Sequence, residues 1–249
     1  MNACIKIENV EKTFKSQEGF EVRAIEKVDM DIDRNEFICI VGPSGCGKST
    51  LLRIIAGLEG TSAGEVHYCD KKITGPSREI GMVFQNYSLL PWRTVIDNIG
   101  LGLEFAGKPK EEREAISRHF IDMIGMTEFE KAFPYELSGG MQQRVAIARA
   151  LANDPDVLLM DEPFGALDAY TRILLQRELL KIWERNKKTI LFVTHSVDEA
   201  VYLSDRIVVM TSKPGKIKEI IDVDIERPRD RANPKYGELT AKLLNMLEE

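Results

Sequence analysis

The chain is expected to be an α/β protein built on a mainly parallel sheet. Three observations carry that expectation. Phe37-Ile38-Cys39-Ile40-Val41 is solidly apolar, and a strand without polar alternation belongs in a sheet covered on both faces. Three further buried-type strands read out at 157–161, 189–194 and 206–210. Helical patterns at about 170–186 and 196–204 separate them. Strands that alternate with helices imply parallel neighbours, because a parallel pair needs a long crossover.

The elements follow in order. Residues 4–10 alternate and read as a strand, with Phe14 just after it. Gln17-Glu18-Gly19 reads as a turn, and Glu21 to Ile32 as further strand. The apolar strand at 37–41 runs into Gly42-Pro43-Ser44-Gly45-Cys46-Gly47-Lys48-Ser49-Thr50, after which 49–56 reads as a helix that Gly57 ends. Ile80 to Gln85 is another strand. From about 86 to 154 the pattern turns helical: Glu111 to Met126 is amphipathic, and Gly139 to Leu151 is a second helix. This block interrupts the alternation and is expected to form its own lobe, so the core is read as 1–85 with 155–227. Pro228 to Pro234 reads as a polar connector, followed by an amphipathic helix to Leu247. There is no internal repeat and no low-complexity tract.

Composition weighs against several classes. With 249 residues, 43% hydrophobic and 30% charged, the chain is ordinary globular protein. Its net charge is -6 and no dense Lys/Arg run occurs, which argues against nucleic acid as a partner. Cys4, Cys39, Cys46 and Cys69 form no CxxC pair; they read as reduced thiols of a cytosolic protein, neither a disulfide framework nor a zinc site. No apolar run approaches the ~18 residues of a membrane span, and Met1-Asn2-Ala3-Cys4 does not open a signal peptide. Any membrane part is expected on another chain.

Three segments carry chemistry. Glycines 42, 45 and 47 let the backbone curl so that successive N–H groups point at a β-phosphate, while Lys48 brings a charge to the β- and γ-phosphates and Ser49 offers a hydroxyl to Mg²⁺. Strand before and helix after are the context that such a phosphate loop requires. Far downstream, Leu137-Ser138-Gly139-Gly140-Met141-Gln142-Gln143-Arg144 is a second Gly-rich turn opening a helix, without a lysine. A serine hydroxyl, backbone N–H groups and the positive helix end face one point there, which suits phosphate oxygens. Asp161 closes the run Val157-Leu158-Leu159-Met160 at the carboxyl edge of a buried strand, where ligands bind in open α/β sheets, and Glu162 follows it. Asp161 suits the metal, and Glu162, pointing the other way, suits a general base toward water. Two anion sites with one set of carboxylates suggest a nucleotide clamped between two copies of the chain.

Taken together these segments resemble the ATP-binding subunit of an ABC transporter, and the likeness runs from about Ile5 to the last helix. Leu89-Leu90-Pro91-Trp92 is similar to the nitrate/sulfonate/taurine importer group. The resemblance implies a P-loop NTPase cassette with a mainly parallel central sheet, an antiparallel β subdomain and an inserted α-helical subdomain. It implies ATP and Mg²⁺ as cofactors and binding by residues 42–50, named individually as Gly42, Pro43, Ser44, Gly45, Cys46, Gly47, Lys48, Ser49 and Thr50. Asp161, Pro163 and Gly165-Ala166-Leu167-Asp168 resemble the Walker B and D-loop segments. His195, between the run 190–194 and a good helix cap at Ser196, matches the switch histidine that contacts the γ-phosphate and orients Glu162. Gln85 matches the glutamine that touches Mg²⁺ or the lytic water, so the implied metal set is Ser49, Gln85 and Asp161. Phe14 matches the aromatic that stacks on adenine. Ser138, Gly139 and Gly140 match the clamp on a partner subunit's γ-phosphate. Met141 stands where many members carry glutamine; a thioether donates no hydrogen bond, so no ribose contact is carried over. His67 and His119 read as surface residues. Implied partners are a second copy of the chain on ATP binding, permease subunits gripped through Trp92, and indirectly a solute-binding protein, at the cytoplasmic face of a membrane. A soluble ABC ATPase on DNA or ribosomes is the other reading; tandem cassettes or coiled-coil insertions that would mark it are absent. A non-catalytic scaffold is a third, opposed by Glu162 and His195. Nitrate, sulfonates, taurine, bicarbonate and pyrimidine or thiamine precursors stay open as substrates.

Overall fold

The structure is a computed structural model, and it describes residues 3–15, 19–165, 167–212 and 214–248. The turn read at 17–18 lies outside the described residues. In chain order the elements are β1 (Ile5–Lys15), β2 (Glu21–Ile32), β3 (Phe37–Val41), α1 (Lys48–Ile55), β4 (Ala63–Tyr68), β5 (Lys71–Lys72), β6 (Ile80–Val83), α2 (Val95–Ile99), α3 (Leu101–Phe105), α4 (Lys110–Met123), α5 (Gly139–Ala152), β7 (Val157–Asp161), α6 (Ala169–Asn186), β8 (Thr189–Val193), α7 (Val197–Leu203), β9 (Arg206–Thr211), β10 (Lys216–Asp222) and α8 (Pro234–Glu248). The chain divides into two compact units, one of Met1–Ser77 with Leu180–Glu249 and one of Arg78–Leu179.

In the first unit β3 lies between β8 and β9 and is parallel to both, with Phe37 opposite Ile190 and Ile38 opposite Arg206. β10 adds antiparallel to β9. Every residue of β3 and β8 is buried, as their unbroken apolar runs require. A second, antiparallel sheet runs in the order β2-β1-β4-β5. Phe37 packs edge-on against Trp183 at a centroid distance of 6.1 Å. In the second unit β6 and β7 pair in parallel from Ile80 opposite Val157. The helices α2 to α5 fall between these two strands in the chain and enclose their own core, with Val95, Ile99, Ile121, Met126, Val145 and Ala148 at its centre.

The α/β class with parallel strands, an antiparallel sheet and an inserted helical block is therefore present. Several boundaries moved, each for a physical reason. β1 continues to Lys15, so Phe14 lies within it, opposite Val22. Register shifts between Ile7 and Val10 and again up to Thr13, with Asn9 at φ 48°, break the two-residue period that would have revealed the continuation. β6 stops at Val83, leaving Gln85 in a turn beyond the strand. β4 and β10 carry too few buried residues to stand out by pattern.

The stretch 228–234 is less open than a polar connector. Arg229 is only 6% exposed, and its guanidinium donates to the carbonyls of Val201 (2.7 Å), Tyr202 (3.2 Å) and Ser204 (2.6 Å) at the end of α7. It also reaches the carbonyls of Ile225 and Val223. Burial pushes this guanidinium down to about 10.

Candidate functional site

In the first unit the sharp turn after β3 is glycine-built because nothing else fits. Gly47 caps α1 at φ 88°, and a Cβ there would stand 2.8 Å from the Ala24 carbonyl oxygen. Lys48 is buried, and its ammonium donates to the carbonyls of Gly42 (2.8 Å) and Pro43 (3.0 Å), with the Cys46 Sγ 3.7 Å away. A buried cation held by neutral acceptors of its own loop is suited to phosphate oxygens. The loop is backed from below by Gly215, which sequence reasoning missed. Its N–H donates to Ala24 and its carbonyl accepts from Glu26, and a Cβ on it would lie 2.0 Å from the Cys46 carbonyl oxygen. Pro214-Gly215 reads locally as a turn, and no local pattern ties it to residues 42–50.

Phe14 is 40% exposed, with the Lys12 ammonium 4.9 Å from its ring centroid, so it is not a core aromatic. His195 is exposed on the bend between β8 and α7. Its surroundings are tightly wired: the Thr194 hydroxyl lies 2.5 Å from the Glu199 carboxylate, the Ser196 N–H donates to Thr194 Oγ1 at 3.0 Å, and Ser196 caps α7 through the Glu199 N–H. His119 is exposed, as read; His67 is half-buried and sits between Glu8 and Glu65.

The second unit carries Gln85, Ser138 to Gly140, Asp161, Glu162 and Asp168. Asp161 is a buried carboxylate at the last position of β7. Glu162 leaves the strand with φ 47°, a left-handed conformation unusual for a residue with a Cβ. Its direction is thus set by the turn, which closes with Gly165 N–H on the Glu162 carbonyl, and not by strand alternation. Gln85 Nε2 donates to Glu162 Oε2 at 3.4 Å, so the glutamine and the candidate base meet. Strained backbone of this kind gathers at active sites. Ser138 is the N-cap of α5, accepting from the Met141 N–H. Met141 itself packs against the helical core. Asp168 caps α6: the Thr171 N–H donates to it at 3.0 Å, and that bond holds its carboxyl below the usual range.

Two polar side chains that sequence reasoning overlooked, Arg149 half-buried and Asn98 buried, shape the loop after Gln85. Arg149 of α5 donates to the carbonyls of Ser88 (2.6 Å) and Tyr87 (2.9 Å), residues held at φ 50° and 39°. Asn98 is fully buried and bonds the N–H and carbonyl of Leu90 and the carbonyls of Arg93 and Thr94. A polar residue on an otherwise apolar helix face was the available signal for both. Trp92, at the tip of the loop they brace, is 71% exposed. Replacing Asn98 by alanine strands several part-buried backbone groups and is expected to cost about 2–4 kcal/mol. Chemical denaturation checks this; a loss below about 1 kcal/mol would remove Asn98 as the brace.

Comparison with known proteins then places this arrangement. A family model described as ABC transporter matches residues 25–165. An ABC transporter ATP-binding protein of Methanocaldococcus jannaschii is 56% identical over 249 residues, covering 100% of this chain and 93% of that relative. The aliphatic sulfonates import ATP-binding protein SsuB of Bacillus cereus is 46% identical over 244 residues, covering 98% of this chain and 96% of the relative. Among solved structures, a dimeric ATP-binding cassette in a post-hydrolysis state bound to ADP and Pi superimposes with a TM-score of 0.81 at 37% identity, over 88% of this chain and 98% of that one.

Proposed function

We propose, for a chain that belongs to the ABC transporter family and is an ATP-binding subunit of it, that it is the motor of an importer for a small anionic solute, with aliphatic sulfonates the first candidates. The observation that carries the substrate reading is the end-to-end likeness to the sulfonate importer's ATP-binding protein. The chain is an ATPase of this family, taking ATP with Mg²⁺. Among the described residues no helix is long and apolar enough to cross a membrane, so passage of solute falls to permease subunits, and the chain works at their cytoplasmic side.

The roles proposed for the residues follow from their chemistry. Residues 42–50 cradle the phosphates, and Lys48 exchanges its two loop carbonyls for phosphate oxygens. Phe14 stacks on the base, a contact of about 1–3 kcal/mol. Ser49, Gln85 and Asp161 offer hydroxyl, amide and carboxylate oxygens, the donor kind that Mg²⁺ takes alongside phosphate and water; the bound ion supplies neutralisation of phosphate charge. Glu162 draws the proton from the attacking water. Gln85, already bonded to Glu162, positions that carboxylate, and His195 hydrogen-bonds the γ-phosphate. Ser138, Gly139, Gly140 and Asp168 serve the nucleotide of a second copy. The block 86–154 is the lobe that moves between states, and the core of 1–85 with 155–227 holds the nucleotide.

Coupling is assigned to the braced loop 87–92. An exposed tryptophan on a fixed loop is an interface anchor, since such aromatics often carry 2 kcal/mol or more of binding energy. Trp92→Ala is expected to leave basal ATPase activity and the melting temperature nearly unchanged, the stability cost staying below about 0.5 kcal/mol as for surface substitutions, while binding to the permease weakens at least ~30-fold. A permease pull-down with the purified variant reads this out, and unchanged capture removes the loop from the interface. For the substrate, the complex reconstituted in liposomes is expected to raise its ATP turnover when given binding protein loaded with an alkanesulfonate. A response to nitrate alone would reassign the solute.

A further inference from the structure

We infer that Arg229 is a positioning residue for His195, acting through α7. The inference rests on the reading of His195 as the γ-phosphate contact and deepens it. α7 spans only Val197–Leu203, too short to hold itself together in water, so tertiary contacts fix where it sits. Its buried face, with Val197, Ala200, Val201 and Leu203, settles how the helix lies on its apolar neighbours. Apolar packing is non-directional and leaves axial sliding cheap.

The directional bonds come from the stretch after β10. At the carboxyl end of α7, Arg229 takes the carbonyls of Val201, Tyr202 and Ser204, and Arg227 takes that of Leu203 at 2.6 Å. Positive charge at a helix C-terminus is favourable, and all four orphan acceptors there find a donor. Each neighbouring arginine is itself anchored: Arg227 pairs with Asp205 and lies 4.5 Å from the Trp183 ring centroid, and Arg231 lies 4.1 Å from that of Tyr202. At the amino end, Arg231 grips Asp198 through both carboxylate oxygens at 2.8 and 2.9 Å. The Tyr236 hydroxyl sits 2.7 Å from the same carboxylate. His195 precedes the N-cap by one residue, and the wiring of Thr194, Ser196 and Glu199 makes it move with the helix. The axial register of α7 is therefore the register of the imidazole, and Arg229, the only one of the three arginines buried below a tenth exposure, is its stop.

Arg229→Met keeps the length of the side chain and removes its donors. Because an error near 1 Å at a reacting centre costs up to about 100-fold, kcat is expected to fall about 10- to 100-fold with KM for ATP within about twofold. The decisive measurement is a double-mutant cycle in single-turnover hydrolysis. In a His195→Ala background, Arg229→Met is expected to change the rate less than about twofold. Equal slowing in both backgrounds, or full turnover by the folded single variant, overturns the inference. Arg229→Lys, which keeps charge but loses the fan of donors, is the second variant should the methionine chain not fold; it is expected to slow the step to a lesser degree, again only when His195 is present, and additive slowing overturns the inference equally. If His195→Ala by itself left turnover intact, the reading of His195 would fall, a result distinct from additivity.

Discussion

Glu162→Gln is expected to stop turnover while leaving nucleotide binding intact. The amide keeps the shape and the bond from Gln85 to residue 162 can be remade, but it has no basicity for a proton. General-base catalysis contributes about 10²–10⁴-fold, so steady-state ATP hydrolysis is expected to fall by that factor with equilibrium ATP affinity within about twofold of the parent. On the proposed reading product formation opens the clamp, so the variant is also expected to accumulate as an ATP-bound dimer. Size-exclusion chromatography with ATP and Mg²⁺ reads this directly. A variant that hydrolyses within threefold of the parent, or elutes as a monomer with ATP present, removes Glu162 from the role of base.

Ser138→Arg is the second large effect. Ser138 is the exposed N-cap of α5, and an arginine there fills the point at which the cap and the helix dipole converge. On the proposed reading Ser138 serves the partner's nucleotide, so ATP affinity of the isolated subunit is expected to stay within about threefold, while hydrolysis falls by about 10²–10³, the usual loss when a charge-stabilising donor is removed. Mixing this chain with a Lys48→Ala chain leaves at most one complete site per mixed dimer, and partial recovery on mixing is the expected signature. If Ser138→Arg alone abolished ATP binding by the monomer, the clamp in trans would be wrong.

Much of this was readable from the chain before its fold was known. The runs at 37–41, 157–161 and 189–193 read as buried strands, because short apolar stretches without polar alternation suit a sheet covered on both faces. The glycine loop, the second turn at Ser138 and the pair at 161–162 were legible because phosphate and proton chemistry demand particular residue types at short spacing. What stayed hidden depends on distance in sequence or on broken periodicity. The bulges of β1 concealed that Phe14 is in a strand. Gly215 backs the phosphate loop from far along the chain, and only the missing space for a Cβ reveals it. Arg229 looked like one charge among several in a polar stretch; its acceptors are carbonyls, and carbonyls leave no trace in a sequence. Glu162 was placed by alternation, whereas its left-handed backbone aims it.

One feature of the second unit has a mechanical meaning. α5 is capped by Ser138, begins at Gly139 and carries Arg149 about 15 Å further along its axis, where the guanidinium holds the backbone of Tyr87 and Ser88. Beyond Gly140 there is no hinge: residues 139–152 are continuous helix, and from Met141 onward they contain neither glycine nor proline. The helix is a connecting rod. A displacement of the serine is thus passed along continuous helix to the backbone of Tyr87 and Ser88. On the proposed reading, in which Trp92 meets a permease and Ser138 a partner's nucleotide, load on the tryptophan travels back along the same rod, and the coupling free energy between the two binding events is the same in both directions.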